Sequence, residues 1–296
     1  MMQVRFLRNQ RPLSVVALLV LFCVGCGTST PLVSTPGGAA KSLPHFDHIV
    51  VVVEENHSAN EIYQATDAPY LHSLAQQGAV FTDSHGVTHP SEPNYLALFA
   101  GSTFGLTSDD CPQQFSAPNL GSALLGAGKS FIGYSETLPN AGFTDCSAGG
   151  NGSDYARKHN PWSNFADVPA ASNQPFTSFP TDDTQLPAVA FVIPNLQDDM
   201  HSGSVAAGDT WLQDHLSSYA QWAVHNNSLL IITWDEDDNS TNNLIPTIFV
   251  GAHITAGKYG ETITHYDVLR TIEALEGLPF SGNAAQATTI ADVWQS

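Results

Sequence analysis

The chain has 296 residues, with 28 Asp and Glu against 9 Lys and Arg, a formal net charge of −19 and 42% hydrophobic residues. That length suits one large domain, or at most two, with a sizeable core, and the hydrophobic fraction argues against intrinsic disorder. The acidic balance excludes a general nucleic-acid binder, which needs a basic footprint, but a site for one phosphate needs only a metal ion and a few donors.

At the N-terminus, Arg5, Arg8 and Arg11 precede an apolar run over 13–25 that ends at Cys26. A basic start, a short apolar stretch and small residues before a break define a secretory signal, and the run is short of the ~20 residues a membrane-spanning helix needs. Val24-Gly25-Cys26 resembles a lipobox, in which Cys26 is lipidated and becomes the mature N-terminus. An ordinary cleaved signal or an uncleaved anchor is the alternative. Residues 1–26 are thus read as a signal peptide, and the protein as extracytoplasmic, either secreted or anchored to the cell membrane. Its only membrane contact would be this signal or lipid. The first 25 residues carry three basic and no acidic side chains, so their loss takes the charge to −22. Residues 27–44 are small, polar and rich in Pro and Gly, as expected of a flexible tether before a domain over 45–296.

From residue 48 onward, two kinds of pattern alternate. HIVVVV (48–53) is a continuous β-branched run, the mark of a strand buried on both faces. Residues 69–77 have helical spacing between Pro69 and Gly78. A strand is expected at 79–83, a helix at 92–100, a second helix over 119–128 and a strand at 130–136. Runs 187–195 and 228–236 repeat the buried-strand pattern around an amphipathic helix at 209–224. A strand at 245–251 and a helix at 265–277, closed by Gly277, finish the chain. Strands alternating with helices predict an α/β fold with a largely parallel sheet covered on both faces. Residues 143–187 lack periodicity and read as a long functional loop, with a floppy insertion as the alternative. Beyond the signal only Cys111 and Cys146 remain, and in an oxidising compartment they are expected to pair. Two free buried thiols are the alternative.

In a parallel α/β sheet ligands gather at the carboxyl ends of the strands. The first strand ends in Glu54-Glu55-Asn56-His57, another in Asp235-Glu236-Asp237-Asp238, and a third runs on to Asp198-Asp199-Met200-His201. Such hard oxygen donors suit a divalent cation, although any one acidic run reads equally well as a solvated loop. Ser91 stands where a helix begins, so its hydroxyl meets the positive end of the helix dipole. The plainer reading makes it a helix cap, and the two roles are compatible.

The stretches FDHIVVVVEENHS, THPSEPNYLALFAG, YARKHNPW, IPNLQDDMHSGS, GDTWLQDHL and LLIITWDEDD occur in order between Phe46 and Pro279. Together they resemble the phosphoesterase family of bacterial and fungal acid phosphatases and phospholipases C, within the alkaline-phosphatase-like superfamily. The resemblance implies a three-layer sandwich with a largely parallel central sheet flanked by helices. It also implies Ser91 as a nucleophile that becomes phosphorylated and touches a metal ion. Glu55, Asn56, Asp235 and Glu236 match the other metal ligands, and Asn94 an amide that holds a phosphate oxygen. Lys158 and His159 match a phosphate-contacting pair. His201 matches a histidine that contacts phosphate or protonates the leaving group, with His265 and Asp199 as weaker candidates. The implied cofactor is a divalent ion, whether Ca²⁺, Mg²⁺, Mn²⁺, Fe or Zn²⁺.

The chemistry fits these roles. A serine hydroxyl needs activation near neutral pH, a cation supplies it, and a histidine acid suits mildly acidic operation. The expectation is an exported, metal-dependent acid phosphatase acting on phosphate monoesters through a phosphoserine. Phosphodiester cleavage of the phospholipase C type and a non-catalytic metal-binding surface protein are the alternatives.

Overall fold

The computed structural model describes residues 43–150, 154–240 and 242–295, within a unit spanning Lys41–Ser296. The signal, Cys26 and most of the tether lie outside the described residues. In chain order the elements are β1 (His48–Glu54), α1 (Ala59–Gln64), α2 (Pro69–Gln77), β2 (Ala79–His85), α3 (Ser91–Ala100), α4 (Leu120–Gly126) and β3 (Phe131–Ser135). A two-residue hairpin, β4 (Ser147–Ala148) and β5 (Tyr155–Ala156), precedes β6 (Asn173–Pro175) and β7 (Val189–Ile193). The chain ends through α5 (Val205–His225), β8 (Ser228–Trp234), β9 (Thr247–Gly251), β10 (Gly257–Thr264) and α6 (His265–Leu275).

Eight strands form one sheet in the order β10-β2-β9-β8-β1-β7-β3-β6. Seven run the same way and only β9, a hairpin return from β8, runs against them. Helices cover both faces. On β1, Ile49, Val51 and Val53 pack towards α3, α4 and α6, while Val50 and Val52 pack towards α2 and α5. Each such buried side chain contributes ~1.5–3 kcal/mol, so the doubly covered β1 and β8 are the best-anchored strands.

Local chemistry sets the helices. The Ser204 hydroxyl caps α5 through the Ala207 N–H, and Trp211, Leu212, Leu216, Tyr219 and Ala223 form its buried stripe. Thr264 and Asp267 form a capping box on α6. Helix α3 is buried on every side and stops at Gly101, whose φ of 67° is left-handed. A Cβ there would lie 2.2 Å from the Ser281 carbonyl oxygen, so glycine is required twice over.

Three expectations change. The strand β10 was not anticipated, because KYGETIT is polar and lies at a sheet edge, where one face is solvated. The span 143–187 is not a bare loop among its described residues: it holds the β4–β5 hairpin, 3₁₀ turns and β6, which pairs with β3. Ser91 is not the helix cap; Pro90 is, and Ser91 is the first helical residue. Cys111 and Cys146 are bonded, with Cα atoms 5.8 Å apart.

Gly133 on β3 links this frame to the site. A Cβ there would lie 2.1 Å from the Trp162 ring, which is buried four residues after Lys158. Gly133→Ala is therefore expected to destabilise the protein by about 1–3 kcal/mol through overpacking. Urea denaturation would show the loss as a lower midpoint with an unchanged slope.

Candidate active site

Because β1, β2, β7 and β8 are parallel, their carboxyl ends share one rim. The residues that follow each strand converge there. Glu55 follows β1, Ser91 opens the helix after β2, Asp199 and His201 follow β7, and Asp235 and Glu236 follow β8. Side-chain alternation matters too: Glu54 takes the face of Val50 and Val52, so its neighbour Glu55 takes the α3 face, where Ser91 lies.

Ser91 is 2% exposed, and its Oγ lies 3.2 Å from Glu55 Oε2 and 3.3 Å from Glu236 Oε1. A hydroxyl carries one proton, so it donates to one carboxylate at a time. The two carboxylates differ in charge state. Burial opposes the ionisation of Glu55, but the His159 charge and hydrogen bond outweigh it and bring the carboxyl down to about 2. Burial, and then the Glu55 charge, push Glu236 up to about 8. Asp235 is held well above the usual carboxylate range by burial and by Glu55 and Glu236. One of its oxygens, Oδ2, is buried without a hydrogen-bond partner, while Oδ1 accepts the Asn56 backbone N–H at 3.3 Å.

His159 is buried between two acids, with Nε2 2.9 Å from Glu55 Oε1 and Nδ1 3.3 Å from Asp199 Oδ2. Burial disfavours its charge, yet these partners raise it to about 9. Its ring stacks on Tyr95 at 4.9 Å, and Tyr95 Oη donates to Glu55 Oε1 at 2.7 Å. Asn94 is fully buried. Its Nδ2 donates to the carbonyls of Thr88 (2.8 Å) and Pro90 (3.2 Å) and lies 3.4 Å from Glu236 Oε2. Its Oδ1 accepts from the backbone of Val87 and Thr88, so the amide clamps the turn before Ser91.

The remaining predicted residues lie further out. Lys158 pairs with Asp109 at 2.7 Å. His201 is exposed at the rim, its ring 5.8 Å from that of His159, and desolvation lowers its pKa. His265 is buried beneath the site, its Nε2 2.6 Å from the Asp235 carbonyl, and burial brings it down to about 4.

Three contributors escaped the sequence reading. Tyr95 had a usable signal, because position i+4 from Ser91 shares its helix face. His89, whose Nδ1 lies 2.7 Å from Glu236 Oε2, is two residues before the serine. Asp109 had no signal at all, since only the fold brings it to Lys158.

Three carboxylates, of Glu55, Asp235 and Glu236, converge at Ser91, and the buried Asp235 Oδ2 has no hydrogen-bond partner, an oxygen-rich donor set that suits a hard divalent ion. Glu55, His159 and Asp199 also form a buried group whose donor atoms lie within 4.8 Å of one another and could hold an ion.

The fold is that of solved proteins of the alkaline phosphatase superfamily. A member of that superfamily from Vibrio parahaemolyticus superposes with a TM-score of 0.58 at 12% identity, covering 84% of this chain and 70% of that one. The lipoteichoic acid synthase LtaP from Listeria monocytogenes gives 0.58 at 11%, covering 84% and 76%. More specifically, the phosphoesterase family matches residues 59–279, and the chain belongs to that family. It is a phosphoric ester hydrolase. A phosphatidylinositol-3-phosphatase from Mycobacterium tuberculosis is 52% identical over 97% of this chain and 95% of its own length. An acid phosphatase from Aspergillus fumigatus is 34% identical over 71% of this chain, which spans about half (51%) of that longer protein.

Proposed function

We propose that the protein is an exported, metal-dependent acid phosphatase that hydrolyses phosphate monoesters through a phosphoserine at Ser91. The observation that carries this reading is the Ser91 hydroxyl at the start of α3, within 3.3 Å of both Glu55 and Glu236. Glu55, Asn56, Ser91, Asp235 and Glu236 would hold a divalent ion. When bound, it would lower the serine pKa and neutralise phosphoryl charge.

The chain's own residues supply the rest. The positive end of the α3 dipole lies at Ser91, and Lys158 and His159 would add positive charge for the phosphate oxygens. Asn94 contributes an N–H to phosphate only by exchanging one of its present acceptors, so its first task is to fix the turn that presents Ser91. His201, open to solvent at the rim, protonates the leaving oxygen and carries that proton only in acid, as its lowered pKa requires. A polar cleft of about 650 Å³ lies beside His89, lined also by Thr88, Asp237 and Asn243.

The relative's name supports a phosphorylated inositol lipid as one substrate. Among the described residues no helix is long and apolar enough to cross a membrane. Hydrolysis of p-nitrophenyl phosphate at mildly acidic pH, faster than that of its bis ester, is the expected result. No cleavage of either ester over pH and added metals would end the enzyme reading, and preference for the bis ester would make it a phosphodiesterase.

A further inference from the structure

We propose that Asp109 is a positioning residue, whose carboxylate locks the Lys158 ammonium to the first turn of the Ser91 helix. This rests on the reading of Lys158 as a phosphate contact.

Both carboxylate oxygens are engaged, each with a different part of the site. Oδ2 lies 2.7 Å from Lys158 Nζ, and Oδ1 accepts the backbone N–H of Glu92, the residue after Ser91, at 2.9 Å. A single side chain thereby fixes a cation from one segment against the N-terminus of a helix from another. The helix dipole favours a carboxylate at this place. The pair is only about one-fifth to one-quarter exposed, so it is shielded better than a surface ion pair.

The ammonium also has competing partners. It faces Glu55, the ionised carboxylate of the site, and a lysine without Asp109 would be drawn towards it. Asp109 holds it off Glu55 and leaves that carboxylate to the cation. The segments that carry the pair are tied together independently. Cys111, two residues after Asp109, is bonded to Cys146, whose carbonyl accepts the Arg157 N–H at 3.0 Å. The buried Arg157 guanidinium donates to the carbonyls of Gln113 and Ser163, at 3.2 and 2.9 Å. The residues flanking the ion pair are therefore held by a covalent bond and backbone contacts, and the Asp109 carboxylate spans the remaining gap to the nucleophile helix.

Asp109→Asn keeps an oxygen for the Glu92 N–H and removes the charge. With p-nitrophenyl phosphate as substrate and inorganic phosphate as inhibitor, KM and Ki are each expected to rise about tenfold, with a smaller change in kcat. Asp109→Glu should recover part of the loss. In a Lys158→Ala background, Asp109→Asn should add no more than about twofold, because the group it positions is gone. An undiminished effect in that background would overturn the proposal by exposing a general structural role. Impaired Lys158→Ala beside an unaltered Asp109→Asn would overturn it while sparing the site. Unchanged constants in Lys158→Ala would remove both the phosphate role of Lys158 and the positioning role of Asp109.

Discussion

Ser91→Ala is expected to lower kcat/KM for a phosphate monoester by at least about 1,000-fold while leaving the fold intact, because it removes the proposed attacking group and little else. Ser91 is the first residue of α3 and not its cap, and its hydroxyl bonds carboxylates, with no backbone N–H among its partners. Alanine is a good helix former, so the helix has no reason to fray. The local cost is confined to a Glu55 or Glu236 oxygen that loses one hydrogen bond, about 1–3 kcal/mol at most for a buried group. Steady-state kinetics with a thermal melt would separate the two effects. A variant that melts normally and still turns over at wild-type rate would show that another group attacks.

The second large effect concerns the ion. Chelation is expected to bring hydrolysis to background, and the metal-free protein should lose stability as pH rises from about 5 to 9. Glu236 is raised from the ordinary carboxyl range to about 8, so between those values the folded state holds a proton that the unfolded chain has lost. His159, raised to about 9, behaves alike above pH 6.5: its contribution is complete below that value and disappears as pH passes 9. Glu55, lowered to about 2, acts oppositely and is lost only below its unfolded pKa near 4.5. The metal-free melting temperature should therefore peak in mild acid and decline towards alkaline pH.

A bound cation must displace the protons on Asp235 and Glu236. Its binding should release protons, and its affinity should rise with pH. At 100 times its dissociation constant it would stabilise the fold by about 2.7 kcal/mol. Thermal melts across pH, with and without each candidate ion, test this directly. A metal-free melting temperature that rises steadily from pH 5 to 9 would contradict the charge states assigned to the site.

What could be read from sequence follows from where each element lies. β1 and β8 are covered on both faces, so their apolar runs are unbroken and their ends mark the carboxylate rim. Helix α3 is buried all round, which left its start at Pro90-Ser91 as the clearest local signal. The edge strand β10 carries no apolar run because solvent meets it, and the span 143–187 folds through short turns and the Cys111–Cys146 bond without periodic packing.

Site residues followed a similar rule. The strand-end positions of Glu55, Asp235 and Glu236 could be read from the sequence. Asn94 was assigned to phosphate, yet its contacts also give it a backbone role that no spacing could reveal. Asp109 meets Lys158 across 49 residues, a contact created only by tertiary structure.

The proposed mechanism passes the phosphoryl group through Ser91. Enzyme quenched in acid during turnover of p-nitrophenyl phosphate, then digested and weighed by mass spectrometry, should carry one phosphoryl group on the peptide containing Ser91, and none in Ser91→Ala. A phosphoryl group trapped on a different residue, or full turnover by Ser91→Ala, would show that Ser91 does not carry it.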